Sequence, residues 1–483
     1  MNAQSKAPLY DLLFKGARLI DGSGGPSRKG DLAVSGDRIA RIDDTGAIDP
    51  ISARKVIDAT GLVLAPGFVD SHTHDDFAVI GDPEMRPKVT QGVTTVVVGN
   101  CGISGAPIRI KGDLPPPPLN LLGESKTFAY DTFADYAAKV DATKPAVNVA
   151  ALIGHGTLRV ATMSDISGRA TPAEIDRMRK LLGDSLDAGA VGFSTGLFYP
   201  INSGADADEV VALAEIVGAK GGVYTTHMRD EYDQVMESLE ETFDTAQRAK
   251  VPVVISHHKC ALPENYGRSR ETLRRITAAA QKQTVGLDAY PYDAGSTVLY
   301  PEEARDDVRI MVTWSTPHPE MSGRDLSDIA EEWGVSQREA GERLLPAGAI
   351  YFQMDEADVR AILSFPLTMI GSDGLPHDKH PHPRLWGTFP RILGHYVRDV
   401  HLFSLENAIH KMTGMTAARF GLTDRGLLRE GYAADLVLFD AAKVRDTATY
   451  ADPIRAAEGI NAVYVNGKPA LEGARAGRLL RKA

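Results

Sequence analysis

The sequence predicts an α/β protein in which a TIM-like (β/α)8 barrel carries a small β-sandwich built from both chain termini, with a lid subdomain inserted after the seventh barrel strand. Three observations predict it. Beyond Pro66 and Gly67 the chain alternates apolar, Val- and Ile-rich runs with helix-patterned stretches, and eight of these runs end in polar residues. Most neighbouring runs lie about 30 to 50 residues apart, the length of one βα unit with its loops. Both termini instead show short alternating segments broken by Gly and Asp.

Taken in order, residues 1–65 form the first part of the small β body, with strand-like segments from Tyr10 and from Asp31. The barrel is expected over 66–415. Its strands should end near Asp70–His74, Thr95–Cys101, Val147–His155, Val191–Thr195, Val223–His227, Val253–His257, Leu287–Tyr290 and Met369–Asp373. The prolines 115–118 read as a stiff loop after the second strand. Between Tyr290 and Asp373 lies more chain than one βα unit uses, which places an inserted lid at about 295–355. Residues 416–483 return to short strands, with Asn466-Gly467 as a hairpin signal. Neither end is long enough to fold as its own sandwich, so the two ends are expected to pair.

Composition narrows the function. A chain of 483 residues with 64 acidic against 53 basic side chains and no Lys/Arg-rich run offers no footprint for nucleic acid. The first thirty residues lack a signal-type apolar segment, and no run of eighteen apolar residues occurs, so a soluble, cytoplasmic protein without membrane contact is expected. Only Cys101 and Cys260 are present, which argues against a disulfide framework and for a reducing compartment. The oligomeric state is left open, a monomer being one reading.

The chemistry-bearing residues gather at the expected strand ends. His72 and His74 stand two apart in Asp70-Ser-His-Thr-His-Asp, a spacing that sends both side chains to one face of an extended segment. An isolated His-x-His is as readily a packing pair as a metal site. However, His227 and His257 end the fifth and sixth strands and Asp373 the eighth, all at the face where barrels of this kind carry their active sites. Cys101 ends the second strand in Val96-Val-Val-Gly-Asn-Cys-Gly. A buried Cys is usually a small apolar spectator. Here its thiolate would complete a Cys-His-His set, an ordinary three-ligand zinc site with a position left for water. Cys260 lies past the strand end and is assigned no role.

These motifs, with Thr226-His-Met-Arg-Asp-Glu, Ser256-His-His-Lys, Gly371-Ser-Asp-Gly-Leu-Pro-His and Pro383-Arg-Leu-Trp-Gly, resemble those of the D-aminoacylase (N-acyl-D-amino-acid deacylase) family of the amidohydrolase superfamily. The resemblance covers nearly the whole chain and implies a metallohydrolase barrel. Most of that superfamily bridges two metals with a carboxylated lysine on the fourth strand. Here the fourth strand reads Ala190-Val-Gly-Phe-Ser-Thr-Gly without a lysine, and Cys101 replaces it.

The resemblance implies one tightly held Zn2+ on Cys101, His227 and His257, with His72, His74 and Asp373 framing a weaker second position. A thiolate ligand reduces the Lewis acidity of the metal, and a carboxylate base beside it can offset that by deprotonating the water directly. Asp373 is the candidate base and later proton donor; its other reading is a helix cap before Gly374. Lys259, Arg384 and Tyr290, with Ser296, are the candidate contacts to the substrate's carboxylate and amide. Phe198, Tyr351 and Met354 are implied to line the side-chain pocket, although aromatic and Met side chains are more often core.

The expected reaction is zinc-dependent hydrolysis of the amide bond of N-acyl-D-amino acids, giving a D-amino acid and a carboxylate. Glu302 and Glu303 occupy the region where a basic group would grip an acidic side chain, which favours neutral or apolar substrates over acyl-D-glutamate. A cyclic-amide hydrolase of the dihydropyrimidinase kind is the alternative enzyme, and a metal-free assembly scaffold the alternative outside enzymes. The absent lysine speaks against the first. The retained metal-competent groups speak against the second.

Overall fold

A computed structural model describes residues 8–112 and 114–482. The barrel strands are β1 (Phe68–Asp70), β2 (Val93–Val98), β3 (Asn148–Gly154), β4 (Gly192–Gly196), β5 (Val223–His227), β6 (Val253–Ile255), β7 (Val285–Ala289) and β8 (Thr368–Ile370). Each pairs in parallel with its neighbours in sequence order. The strands are short and apolar because both of their faces are covered: Val93–Val98 is buried at every residue.

The seam between β1 and β8 lacks a continuous ladder and closes at the mouth. Ser71 N–H donates to Ile370 O at 3.3 Å and Asp373 N–H to His72 O at 2.8 Å, with a parallel bridge between Thr73 and Gly374. Below these bonds, Asp70 Oδ1 accepts the Ser372 N–H at 2.7 Å, while Lys88 Nζ donates to Asp70 Oδ2 at 2.9 Å and to Ser372 Oγ at 2.8 Å. Lys88, Asp70 and Ser372 are fully buried. A buried ammonium is tolerated because two carboxylates flank it: Asp75 lies 3.2 Å away on its other side.

Inside the barrel Val69, Val97, Leu152, Val223, Val254 and Met369 pack together, and Phe420, Leu422 and Leu480 plug the end opposite the mouth. This leaves the C-terminal face as the open end. Helices outside the strands start where the sequence supplies caps. Thr171 and Glu174 form a reciprocal capping box ahead of Pro172–Asp187, a cap worth about 1 kcal/mol.

Both termini build one mixed sheet, in the order 468–469, 460–465, 436–439, 63–66, 10–19, 28–35 and 38–43, with 53–58 also paired to 10–19. The sheet folds onto itself. Phe14 and Tyr464 lie three strand positions apart, roughly 14 Å in a flat sheet, yet their ring centroids are 5.3 Å apart. The edge strand 38–43 then bonds back to the other arm through Ile39 N–H to Tyr432 O and Ala434 N–H to Asp37 O. Asn148 at the start of β3 locks this body to the barrel by donating to Asp435 Oδ2 at 3.0 Å and accepting from Asn466 at 2.8 Å.

Between β7 and β8 stands a three-stranded antiparallel sheet, Gly295–Val298, Ala347–Phe352 and Arg309–Ser315, backed by the helices Leu326–Trp333 and Gln337–Leu344. It has its own core around Leu299, Ile310, Val312, Leu326, Ile329 and Leu344. Its first and middle strands face the barrel mouth. Among the described residues no helix is long and apolar enough to cross a membrane.

Candidate metal centre and active site

Beyond β1 the chain bends at Ser71 and His72 and is pinned again at Thr73. Between His72 and His74, Thr73 bonds to Val97 O through its N–H at 3.0 Å and its hydroxyl at 2.9 Å, which turns the flanking imidazoles toward the mouth. Past β2, a Cβ at Gly102 would come within 2.6 Å of Gly196 N, and one at Gly196 within 2.1 Å of Cys101 O. The turns after β2 and β4 therefore interlock without side chains, and this fixes where the Cys101 sulfur sits.

Three metal-competent residues have left-handed backbone: Cys101 at φ 52°, His257 at 36° and Asp373 at 50°. Each stands just past a strand end, where the chain turns across the mouth. For a residue with a Cβ this conformation costs on the order of 1–3 kcal/mol, and it persists where surrounding bonds enforce it. The His257 N–H donates to Asp288 Oδ1 at 2.8 Å, as the Asp373 N–H does to His72 O.

Among the described residues two buried groups of metal-competent side chains arise, and Cys101 belongs to both: Cys101 with His227 and His257, and Cys101 with His72, His74 and Asp373. Cys101 Sγ lies 3.3 Å from His257 Nε2 and 3.2 Å from His72 Nε2, and His257 Nε2 lies 3.1 Å from His227 Nδ1. Ligands about 2.0–2.3 Å from a tetrahedral zinc stand roughly 3.3–3.6 Å from one another, so this cage fits that ion. The donor set fits as well. One thiolate and two imidazoles make a three-ligand site with an open position, and the sharing of Cys101 makes a second, carboxylate-containing position available beside it.

The electrostatics agree. Burial alone would raise the Cys101 thiol, but His72 and His257 beside it hold it well below the ordinary thiol range. Burial opposes charge on His257, as does Lys259, yet Glu231 and Cys101 prevail and lift it to about 9. His74 is likewise lifted to about 9 against burial, by Asp373 and Cys101. A metal entering the cage displaces these protons, so its affinity should rise with pH toward 9.

A second layer holds the ligands, and sequence reasoning missed it. Glu231 Oε1 lies 3.0 Å from His257 Nδ1, and Lys259 Nζ donates to Glu231 Oε2 at 2.6 Å. With Nδ1 engaged, Nε2 is the nitrogen turned to the cage. Glu231 Oε2 also lies 3.6 Å from His227 Nε2, close enough for its charge to act on both imidazoles. The available signal was the spacing of Glu231 four residues after His227. Asp288, near the end of β7, receives the His257 N–H and stands 3.2 Å from His72 Nδ1; its signal was a lone acid closing an apolar strand. Glu231→Gln is expected to weaken zinc binding by about 10- to 100-fold, measured by competition with a chelator.

Asp373 Oδ1 is 3.1 Å from His74 Nε2 and 3.4 Å from His72 Nε2, and Asp373 Oδ2 is 2.8 Å from Arg384 Nη1. Burial would raise its carboxyl, but Arg384, His72 and His74 hold it well below the usual carboxylate range. Arg384 is fully buried, lies 4.6 Å over the Tyr290 ring and donates to Ser296 O at 3.0 Å; its Nε has no partner.

These groups border one cavity of about 50 Å³, walled by His74, Cys101, His227, His257 and Asp373 on the metal side. Lys259, Tyr290, Ser296, Phe198 and Tyr351 complete it from the loops and the inserted sheet. Phe198 stacks on His227 at 5.4 Å. Met354 follows the end of the strand Ala347–Phe352 and packs with Tyr290 and Tyr292. The Arg384 guanidinium is turned to Asp373. Lys259 reaches the cavity, with Glu231 as its partner.

Comparison with known proteins matches the family model described as "Amidohydrolase family" over residues 55–291 and 268–470, which together span both the barrel and part of the terminal sheet. The chain belongs to the amidohydrolase family. Within it, the D-aminoacylase of Alcaligenes xylosoxydans xylosoxydans is 53% identical over 485 residues, 99% of each chain. The N-acyl-D-aspartate deacylase of the same organism is 53% identical over 468 residues, 97% of this chain and 93% of that one. A crystal structure of the N-acyl-D-glutamate deacylase of Bordetella bronchiseptica, holding zinc and a phosphonate mimic of the tetrahedral intermediate, is 46% identical with a TM-score of 0.94. It aligns over 98% of this chain and 99% of its own. The amidohydrolase therefore falls in the D-aminoacylase branch.

Proposed function

We propose that this amidohydrolase uses zinc to hydrolyse the amide bond of N-acyl-D-amino acids, releasing a D-amino acid and a carboxylate. The observation that carries the reading is the placement of the Asp373 carboxylate on the same cavity as the Cys101, His227 and His257 donors. Those three residues would hold the ion. Bound there, zinc supplies Lewis acidity to the scissile carbonyl and to the attacking water.

The chain's own groups supply the rest. Asp373, kept ionised by Arg384, accepts the proton of the attacking water at Oδ1. Carbon–oxygen bond formation is followed by cleavage of the carbon–nitrogen bond, and Asp373 returns the proton to the leaving nitrogen. His74 next to Oδ1 steadies the carboxylate in both states. Glu231 and Asp288 keep the ligands aimed, and Lys259 and Tyr290 offer the cation and hydroxyl that a free α-carboxylate requires.

The rest of the cavity favours a neutral side chain. Phe198, Tyr199, Tyr351 and Leu375 supply apolar wall, and Tyr232 adjoins Glu303, whose carboxyl burial and Glu302 push up to about 7. An acidic side chain there would face another acid rather than a cation. Cys101 and Cys260 are unpaired, which supports a reducing, cytoplasmic setting. A panel of N-acetyl-D- and L-methionine, leucine, phenylalanine, aspartate and glutamate tests the reading. The neutral D-substrates are expected to lead their L-forms by on the order of 10²-fold. Preference for the L-series, or for aspartate or glutamate, contradicts it.

A further inference from the structure

A second cavity, of about 1080 Å³, adjoins the catalytic one and has no part in the chemistry above. Leu121 lines both. From Leu121 the larger space runs outward between the proline-rich loop after β2 and the inserted sheet, past Ile201, Val298, Leu299 and Trp314. Leu114, 64% exposed, and Leu345, 42% exposed, stand on its outer wall. Exposed apolar side chains grouped on one groove, unlike singly scattered ones, mark a binding surface.

The catalytic cavity, of about 50 Å³, has room for the amide and the groups next to it but not for a long acyl chain. Lys259, the cation for the α-carboxylate, lies on the loop after β6, whereas Leu121 lies on the loop after β2, four strands away around the barrel and so on the opposite side of the mouth. A substrate held by its α-carboxylate on the charged side therefore directs its opposite end, the acyl group, at Leu121.

We propose that the larger cavity is an acyl-chain site and that the enzyme's substrates are N-acyl-D-amino acids carrying long, unbranched acyl chains. This rests on the deacylase reading and adds the class of acyl group. A cavity of this volume lies at the upper end of those that enclose whole small-molecule ligands, so it accommodates a chain of a dozen carbons.

The test compares kcat/KM for N-acetyl-, N-hexanoyl- and N-dodecanoyl-D-leucine, in wild type and in Leu345→Glu and Leu114→Glu, both at exposed positions remote from the catalytic groups. Full burial of a methylene is worth about fourfold. With half or more of each methylene buried, hexanoyl should exceed acetyl by about 10- to 100-fold, with dodecanoyl at least equal to hexanoyl. Both variants should lower the dodecanoyl rate at least about tenfold and leave the acetyl rate unchanged. A rate that is flat or falling with chain length overturns the proposal. So does an equal effect of the variants on all three substrates. Loss of the amino-acid side-chain preference instead, when N-acetyl-D-leucine is compared with N-acetyl-D-alanine, also overturns it by assigning the cavity to that side chain. Turnover of none of the three strikes the deacylase reading itself.

Discussion

Cys101→Ala is expected to lose zinc and activity together. The thiolate is the one donor common to both candidate metal positions. Its removal leaves His227 and His257, with ring nitrogens 3.1 Å apart, as two neutral donors without an anionic ligand for a dication in a buried site. Loss of the ion removes several kcal/mol of transition-state stabilisation, so kcat/KM should fall on the order of 10³-fold or more. Metal analysis of the dialysed variant should find zinc far below one per chain. Cys260→Ala is the control. Its thiol is buried and pushed up to about 12, outside both metal groups, and the variant should keep zinc and turnover. Equal losses in the two variants would point to a folding defect rather than a ligand.

Asp373→Asn is expected to behave in the opposite way on the metal. The amide keeps the size of the side chain and can still accept from His74 or Arg384, but it cannot take a proton. The Cys101, His227 and His257 set does not include Asp373. The variant should therefore retain about one zinc per chain and lose about 10²–10⁴-fold in kcat, the usual worth of a positioned proton-transfer group. Retained zinc with retained turnover would remove Asp373 from the mechanism.

Much of this was legible in the chain because a barrel repeats. Each βα unit ends its buried strand at the same face, so a reader who finds where apolar runs meet His72, Cys101, His227, His257 and Asp373 has found the mouth. What was not legible follows from distances the chain does not display. Glu231 meets His257 from 26 positions away, and Asp288 on β7 meets His72 just past β1, two strands away around the barrel. Their roles depend on which nitrogen of each imidazole points outward, which no spacing encodes. Arg384 reads as a free cation in sequence because Asp373, its partner, already carries another assignment. The left-handed backbone at Cys101, His257 and Asp373 is equally hidden. Left-handed residues are read from Gly and Asn signals, and here the fold imposes that conformation on residues chosen for their ligating atoms.

A single zinc on Cys101, His227 and His257 is expected to be what switches on amide hydrolysis in this chain. Stepwise addition of zinc to metal-free protein, with hydrolysis of N-acetyl-D-methionine and bound metal followed together, tests it most directly. Activity should rise from near zero in proportion to zinc and reach its maximum at about one ion per chain. Full activity without metal, or activity that appears only as a second ion binds, would contradict it.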